Sequence, residues 1–364
     1  MPSMRISLGN LSSPASRFPL LLPGEPPFRA PYLPPLRAAV ERVRMVKMAA
    51  AGERRRAGYV SVVERALAAE EEYRRARAEV QRKGVEVEGY GIEGISIGGH
   101  ETCVIVPSLN VAFDIGRCPA RAVHQDFLFI THAHLDHIGG LPMYVATRGL
   151  YSLKPPTIFL PSCIKEDVEK LFDIHRSMSQ TELNLEIVAL DIGDTYEIRN
   201  NLVVRPFKTH HVIPSQGYVI YSMRNKLKKQ YAHLKGPQLK NLKVSGIQIT
   251  DTILSPEVAF TGDTTSDFIL EPRNADALRA KVLITEATFL DEENDVEHAR
   301  QHGHMHLSEI IANAQWFRNK AILLTHFSSR YKIEDIRQAI AKLQPKLSPK
   351  IVALTEGFRS AYPQ

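Results

Sequence analysis

The chain has 364 residues, 44% hydrophobic and 24% charged, a composition that fits a globular protein with a real core and excludes a fibrous or wholly disordered chain. No run of about 18 apolar residues occurs, so no membrane-spanning helix and no membrane partner is expected. A net charge of +6 favours a polyanionic partner over an acidic one, and three cysteines (Cys103, Cys118, Cys163) are too few for a disulfide framework and point to a reducing compartment.

Residues 1–47 are rich in Pro and Arg and hold only two acidic residues, Glu25 and Glu41. Such a segment does not pack a core. It has the acid-poor, Arg- and Ser-containing look of an organelle transit peptide, while Met45 and Met48 leave open a plain leader ahead of a later start. We therefore take 1–58 as a disordered leader or transit segment. From Tyr59 to about Arg82, Ala, Glu and Arg dominate without Gly or Pro, which predicts one exposed helix, with a linker to residue 88. Short β-rich runs follow at 111–116, 126–131, 157–161, 185–190, 202–207 and 217–222. They resume at 257–263, 281–287, 321–327 and 350–354, with helical periodicity in Ile164–Met178, Leu307–Phe317 and Ile333–Leu343. This order predicts an α/β domain over 89–358, two sheets with helices packed outside, interrupted by a basic arm at 223–250.

The central motif is His132-Ala133-His134-Leu135-Asp136-His137, between the strand ending at Thr131 and the turn pair Gly139-Gly140. Imidazole and carboxylate are good zinc ligands, and four of them so close can serve two ions if His132 and His134 point one way and Asp136 and His137 another. Further candidates each follow a strand: His211 with its neighbour His210, Asp263 in Thr-Gly-Asp-Thr, and His326. A single histidine after a strand is usually structural. The combination points to a two-metal site.

In this order the set resembles the metallo-β-lactamase superfamily and, within it, the short form of tRNase Z, over about Glu88 to Gly357. The resemblance implies an αββα sandwich holding two Zn2+, with Mn2+ or another divalent ion as the alternative. Residues matching His132, His134 and His211 hold one ion, those matching Asp136, His137 and His326 the other, and Asp263 bridges. His211 is preferred to His210 because the family's ligand falls just before the loop to the Gly-Tyr strand, here Gln216-Gly217-Tyr218. Asp136 is also expected to orient and deprotonate the attacking water.

Metals alone do not select a substrate, since acyl and phosphoryl centres are both stabilised by them. A ribose 3′-oxygen leaves poorly unless protonated, so a general acid is expected. The resemblance offers His304, supported by Glu286, although Thr285 stands where the family has His in His-Glu-Ala-Thr and Met305-His306 replaces Ser-Thr. His302 and His306 are rivals, and the bland alternative is that these histidines cap a helix starting near Leu307. From Ser222 to Lys243 there are seven basic residues and no acidic one. Lys226, Lys228, Lys229, Lys235, Lys240 and Lys243 match the position of the family's arm, which grips the tRNA elbow. Where bacterial members carry Arg-Asn, this chain has Gly98 to Cys103, with His100 as a replacement donor or a turn residue. The implied activity is removal of the 3′ trailer from precursor tRNA, by a homodimer, in cytosol or nucleus, or in a plastid or mitochondrion if the leader targets it. Alternatives are opening of 2′,3′-cyclic phosphates at tRNA ends or of small cyclic diesters, a glyoxalase-type thioesterase, and a non-catalytic RNA-binding relative.

Overall fold

Along each short run apolar side chains face alternate sides of the backbone, so each strand can serve two layers at once. The computed structural model describes residues 84–199, 201–291 and 295–360; the leader and the helix expected to about Arg82 lie outside the described residues. One sheet has the order β1 (Val85–Val87), β2 (Tyr90–Gly98), β3 (Glu101–Val106), β4 (Val111–Phe113), β5 (Phe127–Phe129), β6 (Thr157–Leu160) and β7 (Glu186–Ala189). Its first four strands are antiparallel and its last four parallel. The other sheet repeats the plan. β8 (Tyr196–Arg199), β9 (Leu202–Lys208), β10 (Gln216–Leu227) and β11 (Thr250–Phe260) are antiparallel; β12 (Val282–Glu286) and β13 (Ala321–Thr325) continue in parallel. β14 (Phe327–Ser328) then crosses over to pair with β2, and β15 (Lys350–Ala353) closes the second sheet beside β13.

The inner faces meet through Phe113, Phe129 and Phe159 on one sheet and Tyr218, Phe260, Ile284 and Leu323 on the other. Phe113 stacks on Phe260 at 4.9 Å between centroids, an aromatic contact that ties the two sheets directly. After β5 the chain forms the single turn α1 (Leu135–Ile138), then α2 (Leu141–Leu150) and, after β6, α3 (Ser162–Ser179). Tyr144, Val145, Val168 and Phe172 of α2 and α3 cover the outer residues Ile105, Leu128 and Ile158.

Between β10 and β11 rises the arm, topped by α4 (Gly236–Val244). The outer face of the second sheet, Ala259, Leu283 and Ile322, is covered from α5 (Asp267–Leu270) and, beyond α6 (Val296–Gln301), from α7 (Leu307–Ala312) and α8 (Ile333–Leu343). The four layers are the expected αββα sandwich.

Two details depart from expectation. The helix expected at 307–317 stops at Ala312, and a separate 3-10 turn follows at Ala314–Trp316. The arm is no simple loop: β10 and β11 stay paired well past Ser222, with Lys226 opposite Asp251 and Leu227 opposite Thr250. Polar alternation hides such a ribbon from an apolar-periodicity reading. Lys226, Lys229, Lys235, Lys240 and Lys243 are exposed on it, and no residue of α4 is buried. Lys228 is half-buried, 3.9 Å from Asp251.

Candidate metal centre

β9, β11, β12 and β13 run in one direction, so the residues after them reach the same edge of the sandwich. His211 follows β9, Asp263 follows β11, Glu286 ends β12 and His326 follows β13. The parallel pair β4 and β5 delivers Asp114 and the His132–His137 motif.

His134 Nδ1 lies 3.1 Å from His132 Nε2 and 3.1 Å from His211 Nε2. A tetrahedral ion with bonds of about 2.0–2.1 Å holds its ligands about 3.3 Å apart, so these three nitrogens already have the required spacing. In the second group His137 Nε2 is 3.3 Å from His326 Nε2, and Asp136 Oδ2 is 3.7 Å and 3.6 Å from those two nitrogens. Asp263 borders both groups: Oδ2 is 3.7 Å from His132 Nε2 and 3.2 Å from His137 Nε2, while Oδ1 is 3.5 Å from His326 Nε2. Asp263 Oδ1 is buried without a hydrogen-bond partner. A buried carboxylate oxygen left so is costly unless a cation takes it. The residues fit a pair of divalent ions.

The rings are oriented from behind. His137 Nδ1 donates to Asp114 at 2.8 Å, His211 Nδ1 to the Gly303 carbonyl at 2.8 Å, and His326 Nδ1 to the Thr288 hydroxyl at 3.1 Å. Thr131 receives His132 Nδ1 at 2.9 Å and donates its own hydroxyl to Asp114. Each bond fixes the tautomer that leaves Nε2 for the metal side. Asp114, Thr131 and Gly303 carry no motif of their own, whereas Thr288 belongs to the Glu-Ala-Thr stretch that also holds Glu286; the one signal for Asp114 is that, like the candidate ligands, it follows a strand. Two of the site's non-glycine residues take left-handed backbones, Asp114 at φ 55° and His326 at φ 58°, strain of the kind that concentrates at functional positions. Gly303, at φ 73°, must be glycine, since a Cβ there would stand 2.6 Å from His211 Nδ1.

The electrostatics suit cation capture. Burial, reinforced by His137, holds His132 down to about 2 despite Asp263, so its ring is neutral. Burial likewise lowers His211. Burial would lower His137 too, but the Asp263 and Asp114 carboxylates override it and raise it well above the usual range, so an arriving cation displaces a proton there. Burial would raise Asp136 and Asp263; His326 chiefly for Asp136 and His137 chiefly for Asp263 overcome it and keep both ionised.

Beside this centre His304 Nδ1 donates to Glu286 Oε1 at 3.1 Å and stands 3.9 Å from Asp263 Oδ2. Glu286 is locked by the Thr264 and Met305 amides at 2.6 Å and 3.1 Å and by the Thr288 hydroxyl at 2.5 Å. Burial alone would lower His304, but Glu286 holds it up at about 9. The rivals are placed elsewhere. His306 caps α7, accepting from the Ser308 amide at 3.2 Å and donating Nε2 to the Asp291 carbonyl at 3.0 Å. His302 donates to the His298 carbonyl and is exposed. The capping alternative therefore holds for His306 and not for His304. His100 is an exposed turn residue, and the donor its loop contributes is the Gly99 amide, 3.1 Å from Asp136 Oδ2. His210 bonds through its backbone to Thr264 and Thr265, and only its neighbour's ring joins the cluster.

Residues 107–327 match the Beta-lactamase superfamily domain. Over 305 residues the chain is 70% identical to tRNase Z TRZ2, chloroplastic, of Arabidopsis thaliana, covering 84% of this chain and 86% of that protein. The chain belongs to the tRNase Z family of the metallo-β-lactamase superfamily. It is also 62% identical to tRNase Z TRZ1 of the same plant, over 76% of this chain and 99% of that one. A nuclear ribonuclease Z of Triticum aestivum is 68% identical over 46% of this chain and 96% of its own. Family membership makes the chain a metal-dependent hydrolase, and no described helix is long and apolar enough to cross a membrane.

The two adjacent histidines give a direct check of the geometry. His211→Ala should lose metal and activity together, whereas His210→Ala should retain both; metal analysis of the purified variants reads the result, and the reverse pattern would exchange their roles.

Proposed function

We propose that the protein is an endoribonuclease that removes the 3′ trailer from precursor tRNA, using two zinc ions held by His132, His134 and His211, by Asp136, His137 and His326, and by Asp263 between them. The carrying observation is the pair formed by half-buried His304 and buried Glu286, with His304 Nδ1 3.9 Å from the carboxylate that lies between the two ligand groups. Phosphodiester cleavage needs a proton for the departing oxygen, and that pair supplies one.

Bound there, the cations would supply an activated water and offset charge on the phosphoryl oxygens. The imidazole-rich donor set suits zinc better than magnesium or calcium, with manganese as the alternative. Asp136, ionised and held by the Gly99 amide, orients the water and accepts its proton. His304 keeps its Nδ1 proton on Glu286 and passes the Nε2 proton to the leaving 3′-oxygen, ending as the neutral ring. The tRNA then ends in a 3′-hydroxyl and the trailer begins with a 5′-phosphate. The family resemblance extends the proposal to a homodimer. It also extends to plastid targeting by residues 1–47, which the chloroplastic relative supports.

The arm supports RNA over a small substrate. Replacing Lys226, Lys228, Lys229, Lys235, Lys240 and Lys243 with Ala should leave hydrolysis of a small phosphodiester nearly intact while raising KM for pre-tRNA. The log–log salt slope should flatten by roughly one unit for each phosphate that is no longer neutralised. Parallel kinetics on both substrates across a salt series decide it. Equal damage to both would make the arm a folding element, and damage to neither would make it an idle surface.

A further inference from the structure

Outside the main centre, α6 and the residue capping its C-terminus carry a second imidazole pair that the proposed reaction does not use. His298 and His302 are four residues apart, so their side chains share one face of the helix. Their ring centroids are 4.5 Å apart. In the main centre the rings of one ligand group are nearly as close, 4.8 Å for His132 with His134 and 4.9 Å for His132 with His211, although those pairs meet edge-on and this one is tilted by 44°.

The tautomer of His302 is set for a ligand. Its Nδ1 donates to the His298 carbonyl at 2.9 Å, which leaves Nε2 with its lone pair. His211 is held in the same way, Nδ1 on a carbonyl at 2.8 Å and Nε2 facing the cluster. Such a bond behind the ring is the usual support of a metal-binding histidine. His298 is steadied from the other side, its ring packed edge-on against Phe289 at 5.1 Å and its amide bonded to the Asp295 cap at 2.9 Å. His298 is half-buried and His302 exposed, so solvent can complete an ion's shell.

We propose that His298 and His302 bind a divalent transition-metal ion, in a site separate from the main centre and weaker than it. Two imidazoles select zinc, nickel or copper over magnesium and calcium. The site lies one aromatic ring from His304, whose centroid is 6.3 Å from that of Phe289. It also braces the turn after α6: the His302 and His304 amides both donate to the Ala299 carbonyl, at 3.2 Å and 2.9 Å. That turn presents Gly303 to His211 and His304 to Glu286. An ion gripping α6 therefore acts on the position of both.

The test is equilibrium dialysis of the full chain against graded free zinc, with His298→Asn and His302→Asn beside the wild type. The wild type should take up one equivalent more than either variant in the weak range. The variants should bind that last ion at least ~10–100-fold more weakly, the scale of losing a group that supports a metal. The tightly bound zinc should be the same in all three, which also reports an intact fold. Equal uptake by wild type and variants throughout would overturn the proposal. Because the readout is a difference between chains, it does not depend on how many ions the main centre holds. A wrong count there would fall on the reaction proposed above instead.

Discussion

Asp263→Ala should empty the centre and abolish cleavage together. Asp263 lies 3.2–3.7 Å from three ring nitrogens drawn from both ligand groups, and among the described residues no other side chain touches both so closely. Its removal also strips His137 of one of the two carboxylates that raise it, the one 3.2 Å away on the Nε2 side. Metals contribute several kcal/mol of charge stabilisation, and each 1.36 kcal/mol is tenfold in rate, so a fall beyond about 10³-fold is expected. Metal content should drop in parallel, since in the proposed arrangement the two ions share this ligand and would not be lost independently. A variant that kept full metal and normal turnover would overturn the bridging assignment. Asp263→Asn preserves shape, and should separate loss of charge from loss of packing: it too should lose metal, with the fold unaltered by circular dichroism.

His304→Ala should behave differently. His304 also forms a third candidate ligand group with Asp263 and His326. As a proton donor tied to Glu286 rather than a ligand, its loss should leave metal content unchanged while pre-tRNA cleavage slows by the ~10²–10⁴-fold typical of losing a general acid. A substrate with an activated leaving group, such as a nitrophenyl phosphodiester, needs little protonation and should lose much less. Glu286→Gln should show the same pattern in milder form, because it weakens the hold on His304 without removing the ring. Equal losses on both substrates would make His304 a structural residue. With only tightly bound metal present, His302→Ala and His306→Ala should leave the leaving-group dependence unchanged, since one ring is exposed and the other caps α7.

The candidate cluster is legible in the sequence because strand ends do the gathering. The His132–His137 motif and the scattered His211, Asp263 and His326 each follow a strand, and parallel strands bring such positions to one edge. What stands behind the ligands is not legible. Asp114 meets His137 across 23 positions, and nothing local to Val-Ala-Phe-Asp announces that partner. The choice among His302, His304 and His306 needs the turn at Gly303, whose left-handed backbone sends alternate histidines to different neighbours. β2 and β3 are also hard to see in the sequence. Gly91, Gly94 and Gly98 interrupt β2, so its apolar alternation is diluted although Ile92 and Ser96 are fully buried. The ribbon of the arm is invisible for the complementary reason: its strands extend on cross-strand pairs such as Lys226 with Asp251, and only its base, Met223 opposite Leu254, packs partly against the core.

The most direct measurement is end-group analysis after incubating the zinc-loaded protein with two tRNAs, one bearing a 3′ trailer and one ending in a 2′,3′-cyclic phosphate. Water attacking phosphorus with His304 as acid predicts trailer release, with a 3′-hydroxyl on the tRNA and a 5′-phosphate on the trailer, lost in Asp263→Ala. Opening of the cyclic phosphate with the trailer-bearing tRNA left intact would contradict the account and assign the same centre to a different bond.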